Sequence, residues 1–194
     1  YDQPIVIGDM YVIWARGGYT SGMKWLKNTL RKSKVKSIPA TGGKSKDRDQ
    51  AFKNPKVRKI WLTLAILDLL RIYGIQVRWF QLRGKHVIFD RFLEDTLMDF
   101  NLNFPQENLG NWWLWKLLKK LSVSPQVHYV LLIPVEESQR RSVLKNEPFP
   151  DSAEVLISRI DFYKSLIQAS SKYVYIDCMN KIDIVFNQIK ESIK

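Results

Sequence analysis

Val87-Ile88-Phe89-Asp90-Arg91 is the stretch on which the fold turns. Lys85 to Phe89 reads as a short buried strand, with Gly84 before it and an acid and a base directly after it. In an open α/β sheet, ligands bind just beyond the carboxyl ends of the strands. There, the Asp90 carboxylate can hold a hydrated Mg²⁺ and the Arg91 guanidinium can fork onto phosphate oxygens. The plainer use of the same two residues is a rim salt bridge that closes the strand.

The segments on either side of this strand give the fold class. Met10 to Trp14 alternates as a strand, and Arg16-Gly17-Gly18-Tyr19-Thr20 turns away from it. Met23 to Arg31 has the pattern of a short amphipathic helix, and residues 33–54 read as a polar, basic surface loop. Pro55 opens a long helix in which Val57, Ile60, Trp61, Leu64, Ile66, Leu67, Leu70 and Ile72 keep roughly helical spacing. Beyond Arg91, helices are expected over Glu94–Phe100 and Asn111–Leu121, then a buried strand over Val127–Ile133 closed by Pro134. A helix over Val135–Leu144, a loop to Ser152 and a helix over Ala153–Ser170 follow. Tyr173–Ile176 is the last strand and Ile182–Ile193 the last helix. Strands alternating with helices predict an α/β fold: a parallel sheet with helices on both faces, in a single domain over 1–194. Right-handed crossovers would make Lys85–Phe89 and Val127–Ile133 neighbours or near-neighbours, with Asp90 and Arg140 on one sheet edge.

Composition narrows the function classes. A 194-residue chain with 45% apolar and 26% charged residues is long enough for a real core, which excludes wholesale disorder. The single cysteine, Cys178, excludes an internal disulfide and fits a reducing compartment. His86 and His128 are far apart, so metal caging by His and Cys is not expected. The longest apolar run, Trp61 to Leu70, is broken by Asp68 and is shorter than a bilayer requires. With no signal peptide legible, the expected location is the cytoplasm. The net charge of +12 is concentrated: residues 1–60 carry 14 Lys and Arg against 4 Asp and Glu. Such a patch suits an anionic partner: nucleic acid, a nucleotide or an acidic membrane surface.

Three motifs carry competing readings. Gly42-Gly43-Lys44-Ser45 looks like part of a phosphate-cradling loop, yet Ile38 stands where that loop needs its first glycine. Its flanks supply neither a strand nor an apolar helix, so it reads as surface loop. Arg140 and Arg141, with Lys145 just beyond, head a lid-like segment over 140–152 whose cations can neutralise a transferring phosphoryl group. The plainer reading is cations satisfying a helix C-terminus. Trp112, Trp113 and Trp115 beside Lys116, Lys119 and Lys120 can mark an interfacial membrane helix. Packing on the sheet is the expectation, with the outer tryptophan available to a dimer interface.

Taken in order, these pieces resemble the thymidylate kinase family of P-loop nucleoside monophosphate kinases. Ala15-Arg16-Gly17-Gly18-Tyr19-Thr20 is similar to that family's turn after its second strand, and Leu64-Ala65-Ile66-Leu67-Asp68 to its Ala-Ala-Asp-Arg helix. Val87-Ile88-Phe89-Asp90-Arg91-Phe92 resembles its Asp-Arg-Tyr signature. Leu131 to Arg140 resembles the strand and helix leading to its lid, Arg159 to Leu166 with Tyr163 the helix behind that lid, and Tyr175-Ile176-Asp177 its last strand. The resemblance runs from about residue 10 to the C-terminus. Two departures stand out. The family opens on a strand and a Gly-rich Walker loop, and this chain begins after the place where both would stand, so an N-terminally incomplete sequence and weak or absent MgATP binding are expected. The arginine that follows the helix aspartate in the family is Leu69 here, which tells against thymidylate as the acceptor.

The resemblance implies a P-loop NTPase fold of nucleotide kinase type, moving the γ-phosphoryl of ATP to a nucleotide or related phosphorylated acceptor with Mg²⁺ present. Asp90 would organise the Mg²⁺ through water and Arg91 would hold the acceptor phosphate. Arg16, Tyr19, Asp68 and Phe92 would surround the acceptor, with Arg140, Arg141 and Lys145 as lid cations. A homodimer is compatible with this reading, and a nucleic-acid partner is not expected from it. The alternative from another class is a catalytically dead basic protein that binds nucleic acid or an anionic surface.

Overall fold

Pro55 starts the helix around which the first half of the chain is organised. The Asn54 side chain accepts the Lys56 N–H at 3.0 Å, and proline at the first helical position has no N–H to leave unpaired. Helix α1 (Pro55–Leu69) runs on through a π-helical stretch, Leu70–Gln76, into α2 (Val77–Leu82). Within the wide turn the Val77 N–H reaches back five residues to the Ile72 carbonyl. Gly84, at φ +69°, reverses the chain, and the Lys85 N–H closes onto the Phe80 carbonyl at 3.1 Å. The structure, a computed structural model, describes residues 5–7, 10–13, 52–147 and 150–192. They belong to two compact units, Tyr1–Val123 and Ser124–Lys194.

The long helix is where the sequence pattern expects it, but its buried stripe has a different phase. Leu62, Ala65, Ile66, Leu69, Tyr73 and Val77 are the fully buried positions, while Ile60 and Leu67 are exposed. Strands β1 (Ile5–Ile7), β2 (Met10–Ile13) and β3 (His86–Phe89) form one sheet in that order. β1 and β2 are antiparallel, as a two-residue connection requires. β2 and β3 are parallel, in register from Met10↔His86 to Ile13↔Phe89, with the long helix in their crossover. After β3 come α3 (Leu93–Asn103) and α4 (Trp113–Leu121). α4 packs on α1 and the wide turn, not on the sheet as expected, and buries Leu114, Trp115 and Leu118 there.

In the second unit β4 (His128–Leu132) and β5 (Tyr173–Asp177) pair in parallel, from His128↔Tyr173 to Leu132↔Asp177. Helix α5 (Val135–Leu144) packs on α6 (Ala153–Ala169), which lies against both strands, and α7 (Ile182–Ser192) against β5. The α/β character and parallel pairing are therefore present. The expected adjacency of β3 and β4 is corrected: each belongs to its own sheet, β3 beside β2 and β4 beside β5. The intervening helix α4 gives a reason, since it is committed to a helix layer and does not stack on a sheet between the two strands. Nor are these strands buried throughout. Ile88 and Leu131 are half-exposed, because sheets of two and three strands leave much of their surface uncovered.

Candidate functional site

The turn that leaves β3 is held in an unfavourable conformation. Arg91 has φ +70°, in the left-handed region where a side chain costs about 1–2 kcal/mol relative to ordinary backbone. Its surroundings supply the restraint. The Tyr73 hydroxyl donates to the Arg91 carbonyl at 3.4 Å, delivered by the wide turn of the long helix. Phe92 is buried, its ring 4.9 Å from Tyr73 and 5.0 Å from Phe89. The Phe92 N–H donates to Asp95 at 2.9 Å and its carbonyl accepts the Thr96 N–H at 3.1 Å, which starts α3. Burial in this aromatic trio makes Phe92 an anchor of the turn.

The two charged side chains of the turn part company. Arg91 Nη1 donates to Asp99 Oδ2 at 3.2 Å, across two turns of α3, with both groups about one-third exposed. Asp90 is exposed and makes no hydrogen bond or ion pair with any described residue. The rim salt bridge between Asp90 and Arg91 is therefore not formed. An open carboxylate and a guanidinium held by Asp99 thus follow one another in the chain at the carboxyl end of a parallel strand. Asp99 and Tyr73 went unread in the sequence. A signal for the first exists in the Asp95/Asp99 repeat on one face of α3.

Asp68 lies in the core side of α1, with 7% exposure. Its Oδ1 accepts from Arg71 Nε at 3.2 Å and Nη2 at 3.1 Å, while Oδ2 is buried without a partner. Burial pushes its pKa up from the ordinary 3.8, and Arg71 pulls it partly back. Leu69 is fully buried, so no cation could stand there without disrupting the core. A group whose pKa is raised on folding contributes stability below its unfolded value, and that contribution is lost as pH rises through the folded value. Asp68→Asn should accordingly be more stable than the parent at neutral pH and lose the advantage toward pH 4. The expected result at pH 7 is a higher Tm for the variant, with the difference closing as the pH falls. Thermal unfolding across pH checks it, and a lower Tm for the variant at pH 7 would contradict it.

The lid cations sit in the second unit and are paired within their own helix. Arg140 Nε and Arg141 Nε each donate to Glu137 at 2.7 Å, and Arg141 Nη2 also donates to the Cys178 carbonyl at 3.0 Å. The two guanidinium groups pull the Glu137 carboxyl down to about 2, so these pairs persist through the physiological range. Lys145 caps the end of α5 and is exposed. Arg159 Nε pairs with Asp151 at 3.1 Å. A cleft of about 700 Å³ opens at the carboxyl ends of β4 and β5, between Leu132, Tyr175 and the Ile157/Ile160/Lys164 face of α6. The sequence reading did not find it, although 157, 160, 161, 164, 167 and 168 recur at helical spacing.

Arg16, Tyr19, the basic loop and the Gly42–Ser45 run lie outside the described residues. Mg²⁺, which the resemblance implies, is commonly held by one or two carboxylates with several waters retained, and the open Asp90 fits that use. No group of three or more His, Cys, Asp or Glu is gathered among the described residues. ATP does not find its cradle there. Glycine occurs in the described part at Gly74, Gly84 and Gly110, none of them in a Gly-rich run after a strand. No known family model and no curated protein matches the chain.

Proposed function

We propose that the chain is a phosphotransferase of nucleotide kinase type, and that the Asp90–Arg91 turn is its acceptor side. The observation that carries the reading is Arg91 at φ +70°, beside an unpaired Asp90, just past a parallel strand. Strained residues persist where their surroundings over-determine them, and such positions cluster at functional sites. Arg91 would hold the acceptor phosphate through charge-assisted hydrogen bonds, and Asp90 would orient water around Mg²⁺. The substrate class is a phosphorylated small molecule, of which a nucleoside monophosphate is the representative. The P-loop type of the fold and the transfer of the ATP γ-phosphoryl belong to the same proposal, and rest on the resemblance.

Calorimetric titration of the 194-residue chain with thymidine monophosphate, uridine monophosphate and ribose 5-phosphate, with Mg²⁺, tests the acceptor side. Arg91→Gly is the informative variant, because glycine keeps the left-handed turn while removing the side chain and its guanidinium. A charged hydrogen bond is worth about 1.5–3 kcal/mol, so binding should weaken by at least about tenfold. Asp90→Asn should remove the Mg²⁺ dependence and leave the phosphate contact. No binding of any of the three, or equal binding by Arg91→Gly, would overturn the proposal.

A further inference from the structure

The outer side of the long helix, away from the Asp90–Arg91 turn, carries an unusual pattern. Ile75, Trp79 and Leu82 are 68, 53 and 83% exposed, and spacings of four and three put them on one stripe. Arg71, Arg78 and Arg83 alternate with them, and no Asp or Glu occurs between Asp68 and Asp90. The Arg83 guanidinium sits 4.4 Å over the Trp79 ring. α4 adds to the charge: its last turn bears Lys119 and Lys120, and a β-carbon at Gly74 would lie 3.6 Å from the Leu121 carbonyl. Three large apolar side chains standing together in solvent mark an interaction surface, unlike scattered exposed leucines.

Charge selects the occupant. A second copy meeting this face across a two-fold axis would set arginines against arginines. RNA is held by stacking on open aromatic faces, and the single ring here already has a guanidinium over it. An anionic bilayer answers both components: arginines reach lipid phosphates, tryptophan sits at headgroup depth, and Ile75 and Leu82 enter the acyl boundary. We propose that this face docks the chain onto an anionic lipid surface, with the helix lying parallel to the membrane. The proposal stands apart from the phosphotransfer reading. The helix over Pro55–Leu82 is long and apolar enough to cross a membrane by length and composition, but half of its most apolar window is buried inside the protein. Crossing would pull Leu69, Tyr73 and Val77 out of the core, whereas lying flat leaves them in place.

The test is sedimentation of the full chain with vesicles of phosphatidylcholine, with and without phosphatidylserine, at low and physiological salt. Pelleting is expected only with phosphatidylserine, falling as salt rises. Ile75→Ser/Leu82→Ser should weaken partitioning by more than about tenfold, because two buried apolar side chains are lost. Arg78→Glu/Arg83→Glu keeps the apolar stripe and should abolish the preference for the anionic lipid. All four positions are exposed, and circular dichroism verifies that both double variants fold. Three outcomes would overturn the proposal. The chain stays in the supernatant with anionic vesicles, both double variants pellet like the parent, or the same substitutions instead abolish RNA binding or self-association of comparable strength.

Discussion

Glu107→Ala is expected to lower the unfolding free energy by about 3–5 kcal/mol, the cost of leaving a buried charge without its partner. The partner is Arg58, whose Nε donates to Glu107 Oε1 and whose Nη1 donates to the Phe52 carbonyl at 2.8 Å. The two side chains are only 11% and 4% exposed, so water cannot replace the lost carboxylate. Against a typical total of about 5–15 kcal/mol, one substitution removes a large share of the stability. The pair itself need not be a net gain over apolar packing. Arg58→Met/Glu107→Leu should therefore recover most of the loss, because paired buried ions are often replaceable by hydrocarbon of similar volume. Urea denaturation of the single and double variants measures both quantities. A single variant within about 0.5 kcal/mol of the parent, the range of ordinary surface changes, would show that the pair is not desolvated.

Trp115→Ala should be nearly as damaging, at about 3–5 kcal/mol, while Trp113→Ala on the same helix should stay within about 0.5 kcal/mol. Trp115 is 1% exposed and fills the seam between α4 and the long helix, its ring 6.3 Å from Phe100. Trp113 is 73% exposed. Trp115→Phe should cost well under half of the alanine value, because the indole N–H is buried without a partner and disappears with the substitution. Denaturation midpoints at constant m-value give the comparison. Equal losses at 113 and 115 would contradict the burial of one ring and the exposure of the other.

The sequence made some elements plain and hid others, for identifiable reasons. Pro55 announces a helix start through chemistry that depends on the local chain alone, and the structure begins α1 there. Asp90 and Arg91 could be placed at a strand's carboxyl end because Gly84 and the run 85–89 are local signals. The burial phase of α1 was not legible. Leu62, Leu64, Ile66 and Leu67 put hydrocarbon on several sides, so more than one stripe satisfies the pattern. The Arg58–Glu107 pair spans 49 residues, and separated charges read as surface. Arg91 gave no hint of its φ, since left-handed turns are foreseen from glycine or asparagine. Sheet membership of β3 and β4 depended on where α4 packs, which no local signal encodes.

The widened turn at Leu70–Gln76 gives the long helix slack in its length. In an α-helix, deleting one residue rotates everything beyond it by about 100° and carries buried side chains out of the core. A π-helical stretch already holds more residues per turn than its neighbours do, so a deletion within it can close into ordinary α-geometry. Val77 would then stay buried and Trp79 exposed, each on its own side. A deletion that is ruinous at Ile66 is absorbed here. Tyr73 is the exception, because its hydroxyl reaches the Arg91 carbonyl from the middle of that stretch. The helix thus tolerates a change of length where it can least afford a change of residue.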